Sequence, residues 1–397
     1  MKISKRILFA FFFFCIFCIS LVLFVWIFHS RPLASPLTLN TTFHFISEQQ
    51  PSKISSKIVY GFLPYWNLNK VVLQPELTHL GYFSLTIGPN GDILTRTNGG
   101  TDIGFHKLQS DQVTSLIATV KKNHGKFEVV FTQMNNDDIT HFFLSPAAHQ
   151  KFLTSLDSVL TMYPVDGINI DVEYAGIVTS ELRAGFSSFL VELHTTLQSK
   201  NKNIALSTDI YPTGANDTQI WDIPKVSGLV DHIIVMAYDF HRKSSPLAGP
   251  VAPLFGGHTE WDGDITLYLK KLLETVPPSK VLLGIPFYGY EWQTTVDEPQ
   301  AHTYSDTGST ATIEYVQHLL SQKDILHVQQ HWNEAGLSPY ISYVKNSNTY
   351  TVYYENARSL SYKMELVNQL DLGGIAIWAL GYENNSREVW DVIKQKL

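Results

Sequence analysis

The sequence predicts an α/β protein built as a (β/α)8 TIM barrel, and three observations carry that reading. Strand-like apolar runs alternate with helical stretches from residue 57 to the carboxyl end, the rhythm of a parallel βα array. The 397-residue length suits one barrel of ~250 residues with an added piece. One run, Ile168-Asn169-Ile170-Asp171-Val172-Glu173, alternates apolar and polar residues, the period of a β-strand, and its polar face ends in two carboxyls.

Taken in order, the first strand is expected at residues 57–65, ending on Tyr65 and Trp66, and the second at 77–87, ahead of a Pro-Asn-Gly-Asp turn. A helix at 111–123 leads to the third strand at 127–132, and a helix at 145–163 leads to the fourth, the carboxyl-bearing run. Residues 181–198 form an amphipathic helix with Leu182, Phe186, Phe189, Leu190 and Leu193 toward the core. The fifth strand follows at 203–210, the sixth at 230–238, the seventh at 281–287 and the eighth at 374–380. Between 293 and 350 the βα rhythm is broken by Tyr- and Thr-containing runs.

Carboxyls on an otherwise buried strand are costly unless they are paired or do chemistry. A solvated edge strand is the plainer explanation, but the apolar face argues for burial. In a βα barrel the carboxyl ends of the strands carry the reactive groups, which places Glu173 correctly, with Asp171 two residues deeper. Two carboxyls this close cannot both ionise easily, so the pKa of Glu173 is expected to be raised, as a general acid requires.

Asp166, Asn169, Asp171 and Glu173 are spaced as Asp-x-x-Asp-x-Asp-x-Glu, with an amide at the second position, and the run resembles the signature of family 18 glycoside hydrolases. The likeness extends over residues 57–397 and implies a small α+β insertion, 293–350, between the seventh strand and its helix. It implies a substrate-assisted, retaining hydrolysis of β-1,4-linked N-acetylglucosamine, in peptidoglycan or chitin. In that scheme Glu173 is acid and then base, Asp171 orients the acetamido N–H, and the Tyr238 hydroxyl holds the acetamido oxygen.

Met236-Ala237-Tyr238-Asp239 matches the Met-x-Tyr-Asp run of the family, which implies that Met236 and Asp239 bind the same sugar. Trp378 matches the tryptophan floor beneath it, Tyr288 belongs to the substrate-binding set, and Asn169 is expected to hydrogen-bond Asp171. Asp166 is expected to fix the strand entrance instead of touching substrate. Three runs resemble the bacterial spore-cortex N-acetylglucosaminidases: Tyr288-Gly289-Tyr290-Glu291-Trp292, Tyr238-Asp239-Phe240-His241 with Ala248-Gly249-Pro250, and Tyr354-Glu355-Asn356-Ala357-Arg358-Ser359. Two departures stand out: Tyr290 replaces an arginine of many chitinases, and Gln133-Met134-Asn135-Asn136 replaces their Ser-x-Gly-Gly turn. The alternative from another class is a weakly active or inactive, lectin-like glycan-binding protein. A transglycosylase is a third reading, separated only by how water is excluded.

Residues 7–28 are an uninterrupted apolar run behind Lys2, Lys5 and Arg6, long enough to cross a ~30 Å hydrocarbon core as a helix. A retained transmembrane anchor is favoured over a cleaved signal peptide, with residues 1–30 forming a cytoplasmic basic end and the anchor, a linker at 31–56 and the barrel at 57–397 outside. Cys15 and Cys18 both lie in that run, so the exported part can hold no disulfide. Residues 1–31 hold four basic residues and no acid, leaving −11 on the rest of a −7 chain. That charge argues against nucleic acid as a partner and for a neutral glycan, which the 13% aromatic content suits. The histidines, among them His79, His106, His124, His141 and His149, show no ligand spacing, and neither a metal nor another cofactor is expected.

Overall fold

β1 (Ile58–Pro64) is buried at every position after its first, because a barrel strand is covered by helices outside and by side chains inside. The computed structural model describes residues 57–97, 99–200, 203–384 and 386–397. The remaining barrel strands are β2 (His79–Thr86), β3 (Lys126–Gln133), β4 (Gly167–Val172), β5 (Ala205–Ile210), β6 (His232–Val235) and β7 (Val281–Pro286). After an inserted sheet, β8 to β12, comes the eighth, β13 (Gly374–Trp378). All eight pair in parallel, and β1 closes on β13 through the register Ile58↔Gly374.

The inside of the barrel is a packed core of Tyr60, Phe62, Phe83, Val130, Ile234, Leu282 and Ala376, with Trp378 against its upper end. Near the bottom of the barrel, two glycines make room for polar side chains in this interior. A Cβ on Gly81 would come within 2.3 Å of the Tyr60 hydroxyl, and one on Gly167 within 2.6 Å of the Glu128 carboxyl.

The helices start where the sequence supplies caps. α1 (Asp111–Lys122), α2 (Pro146–Met162) and α3 (Ser180–Ser199) are capped by Ser110, Ser145 and Thr179, whose side chains accept from Val113, Ala148 and Leu182. Leu182, Phe186, Phe189, Leu190 and Leu193 of α3 are buried. The sixth strand is the expected element that shrinks most, from 230–238 to four residues. Past Val235 the chain leaves the ladder by two tight turns, Ala237 N–H to Val235 C=O and Tyr238 N–H to Met236 C=O, and Asp239 takes a left-handed φ of 63°.

The insertion also begins earlier than residue 293. β8 (Tyr288–Thr294) follows β7 almost without a break, because Phe287 hands the chain straight from one sheet to the other. With β9 (Ser309–Thr312), β10 (Gln329–Asn333), β11 (Ser338–Lys345) and β12 (Asn348–Tyr353) it forms an antiparallel sheet in the order β9-β8-β12-β11-β10. α4 (Ile313–Ser321) packs its Val316 and Leu319 on Ile341 and Val352 of that sheet. α5 (Ala357–Gln369) then returns the chain to the barrel behind a capping box of Asn356 and Ser359.

Among the described residues no helix is long and apolar enough to cross a membrane. The anchor expected at 7–28 and the linker at 31–56 lie outside the described residues.

Candidate active site

β4 enters the barrel pinned at its foot. The Asp166 carboxylate pairs with Lys121 and accepts from the Phe127 N–H at 2.7 Å, so this aspartate lies at the amino end of the strand, far from the barrel mouth. From there the strand period aims Asn169, Asp171 and Glu173 inward and upward. Asn169 and Asp171 are fully buried, whereas Glu173, just past the last paired residue, is partly open.

A cavity of about 150 Å³ occupies the mouth. Asp171, Glu173, Met236, Tyr238, Asp239, Tyr288 and Trp378 all line it. The Trp378 ring stands edge-on to Phe83, with centroids 4.6 Å apart, which fixes the plane of the indole over the barrel core. Asp239 Oδ1 accepts from the Tyr288 hydroxyl at 2.5 Å and from Tyr290 at 2.8 Å. Tyr290, standing where an arginine was noted as usual, thus holds the carboxylate as a neutral donor.

The Gln133-Met134-Asn135-Asn136 turn is built by its own side chains. Gln133 Oε1 accepts from the Met134 and Asn135 N–H groups, its Nε2 donates to Ile87 C=O at 2.6 Å, and Asn136 Oδ1 accepts from Ala175 N–H at 3.0 Å. That last bond ties the β3 loop to the segment just after Glu173.

One expectation needs correction. Asn169 does not bond Asp171: its Nδ2 donates to Asp209 Oδ1 at 2.7 Å and Ser207 Oγ at 3.0 Å, because β5 is nearer to its amide than the next inward residue of its own strand. The Glu173 carboxyl is indeed shifted up, but by burial first and then by the negative charge of Asp239, while Arg242 and the Tyr211 hydroxyl oppose the shift. Burial, Asp209 and Glu173 push the pKa of Asp171 well above its ordinary value, so the two carboxyls of this strand bear on each other as expected. Tyr238 stays a phenol for the same reasons of burial and surrounding carboxyls.

Asp209, Tyr211, Arg242 and Met134 also line the cavity, and sequence reasoning missed them. For the first two a signal was present. Ser207, Asp209 and Tyr211 recur at the two-residue spacing of one strand face, as the polar residues of β4 do, although Thr208 breaks the apolar alternation between them. Beyond Tyr211, Tyr238, Asp239 and Arg242 the cleft continues into a larger lobe of about 470 Å³, walled by His241, Trp261, Glu260 and Asp262. Among the described residues no cluster of His, Cys, Asp and Glu could hold a metal ion.

Chemically, the cavity sets a carboxyl of raised pKa at the end of one strand beside a second buried carboxyl, a phenol donor and an indole face. The cortical fragment-lytic enzyme of Bacillus anthracis is 26% identical over 320 residues, 78% of this chain and 66% of that protein. The crystal structure of the Ostrinia furnacalis Group IV chitinase in complex with allosamidin superposes with a TM-score of 0.74 at 20% identity, covering 86% of this chain and 97% of that one. The spore cortex-lytic enzyme SleL of Bacillus megaterium superposes with a TM-score of 0.69 at 18% identity, covering 88% and 76%. Residues 41–383 match the profile of glycosyl hydrolases family 18. Because that match runs from before the first barrel strand to past the last, the chain belongs to the glycosyl hydrolases of family 18 and is a glycosidase.

Proposed function

We propose that this glycosidase cleaves β-1,4-linked N-acetylglucosamine in peptidoglycan with retention of configuration, using the substrate's own 2-acetamido group as nucleophile. The observation that carries the reading is the placement of Glu173, Asp171 and Tyr238 in one cavity, from the ends of β4 and β6 with β5 between them, together with the Trp378 indole. A nucleophilic carboxylate on the far side of the scissile bond would have to come from another wall of the barrel. Here the carboxyls crowd one side, which suits attack by the acetamido oxygen.

In this scheme Glu173, whose hold on its proton burial strengthens, gives that proton to the leaving glycosidic oxygen while the acetamido oxygen closes on the anomeric carbon. Tyr238 donates to that oxygen and Asp171 accepts from the acetamido N–H. Water then adds at the anomeric carbon, with Glu173 as the base. Asp239 and Met236 hold the same sugar, and Trp378 stacks beneath it. Peptidoglycan is favoured over chitin by the three runs shared with spore-cortex enzymes and by the cortical fragment-lytic relative.

We also infer that the apolar run 7–28 anchors the chain, with the barrel outside the cytoplasmic membrane and within reach of the wall. Fractionation of the full chain against one lacking residues 1–30 tests this: the full chain should sediment with membranes and the shortened one should not.

For the activity, the full chain and its Glu173→Gln variant are incubated with purified peptidoglycan and with chitin oligosaccharides. New reducing ends on N-acetylglucosamine from peptidoglycan, lost by roughly 10²-fold or more in the variant, are expected. Equal rates in the two proteins would remove the mechanism.

A further inference from the structure

We propose that Asp209 is the proton-accepting partner of Asp171, a positioning carboxyl supplied by the fifth strand in place of the one that Asn169 withholds from the fourth. The inference rests on the substrate-assisted reading above and adds to it a residue outside the motif.

The geometry begins with strand register. β4 and β5 pair as Asn169↔Ser207 and Ile170↔Thr208, so the next inward-facing pair is Asp171 and Asp209. Neighbouring strands lie ~4.8 Å apart, which brings these two carboxyls abreast on one inner face. Both are 3% exposed, and both line the same cavity. One inward step below, Asn169 gives its Nδ2 to Asp209 Oδ1 and to Ser207 Oγ. Asp171 Oδ1, by contrast, is buried without a hydrogen-bond partner.

The two carboxyls are therefore unequal. An amide donor stabilises a carboxylate, so the negative charge of the pair rests on Asp209 and the proton on Asp171. Burial pushes both acids up, and the Asn169 amide pulls Asp209 back, in agreement with that order. The groups facing the pair are Tyr60 and Glu128 from β1 and β3 below, Glu173 beside it, and Tyr211 and Tyr238 past the ends of β5 and β6, with Asp239 and Arg242 further along the same cavity. With one cation among them, the pocket holds a single negative charge on the pair more easily than two.

During the reaction, positive charge grows on the acetamido nitrogen as its oxygen bonds to the anomeric carbon. The O–H bond of Asp171 breaks and one forms on Asp209, so the pair keeps one negative charge and that charge moves next to the substrate. When water opens the intermediate the proton returns. No proton need be exchanged with solvent through a buried site. Asn169 has no proton to lose, so it holds Asp209 in place through the cycle.

The experiment uses the full chain, Asp209→Asn, the double variant Asn169→Asp/Asp209→Asn, and Glu173→Gln, on both peptidoglycan and chitin oligosaccharides. Asp209→Asn should lower kcat by about 10²-fold with KM within about threefold. Its acidic limb should move to higher pH, since a lone buried carboxyl ionises later than a pair that shares one proton. The double variant returns the carboxyl to the fourth strand and should recover kcat at least about tenfold over the single. Retention of kcat within about twofold in Asp209→Asn, or a folded double variant as slow as the single, overturns the proposal. Should Asp209→Asn fail to fold, the double variant decides alone: a rate within about tenfold of wild type supports the shared proton, and a rate as low as Glu173→Gln overturns it. Loss in Glu173→Gln with no effect in Asp209→Asn removes only this inference, whereas full activity in Glu173→Gln removes the mechanism beneath it as well.

Discussion

The Tyr290 hydroxyl donates to Asp239 Oδ1 at 2.8 Å, on the oxygen that also accepts from Tyr288. These two phenols come from the first strand of the inserted sheet, so the insertion sets the position of a carboxylate at the barrel mouth. That carboxylate in turn raises the pKa of Glu173. The wall of the cleft and the acid in its floor are thus one electrostatic unit.

Asp239→Asn removes that charge but keeps an oxygen for both tyrosines. Glu173 must be protonated to act as acid, so rate is lost as pH rises through its pKa. Without Asp239 that pKa falls, and the alkaline limb of the kcat/KM profile should move to lower pH by about one unit. A limb that stays in place would show that Glu173 does not feel Asp239.

Arg242→Gln should act with the opposite sign. The guanidinium opposes the upward shift of Glu173, so its loss should move the alkaline limb to higher pH. Because Arg242 Nε also donates to Asp239 C=O at 3.1 Å, KM should rise at the same time. The paired profiles of this variant and Asp239→Asn check the assignment, since disruption of packing alone would not give shifts in two directions.

Trp378→Ala should remove the stacking surface and lower kcat/KM by roughly tenfold. Trp378→Phe should lose less, keeping a ring against Phe83. Steady-state kinetics on one defined oligosaccharide distinguishes the two, and equal values for alanine and wild type would place the sugar elsewhere.

The Lys363 ammonium donates to both Glu355 oxygens at 2.9 Å, and both side chains are fully buried, with Ser359 adding a third donor. Lys363→Ala leaves that carboxylate without its cation beneath the start of α5. Denaturant unfolding should show a loss of about 3–5 kcal/mol. A double change to apolar residues of similar volume should cost less, because no charge is then stranded.

Most of the barrel was legible because its strands repeat one signal. Buried parallel strands are apolar almost throughout, and polar residues break that pattern only where they face the interior. The sixth strand was overextended for the same reason: Met236, Ala237 and Tyr238 are apolar and buried enough to continue it, yet their backbone turns away toward Asp239. The start of the insertion was misplaced because Tyr288-Gly289-Tyr290-Glu291-Trp292 reads as a strand on either side of the boundary, and nothing in composition marks a change of sheet.

The sequence by itself determined the barrel and the strand that carries Asp171 and Glu173, since a two-residue period leaves no other face for them. It also determined the family to which the chain belongs, because the spacing of those acids is local. The tertiary structure alone decided that Asn169 reaches across to Asp209, that Asp239 adds its charge to the surroundings of Glu173, and that tyrosines of the inserted sheet hold Asp239. Each of those is a contact between residues about forty or more positions apart or on different strands. Their strength depends on strand register and burial, neither of which a linear spacing encodes.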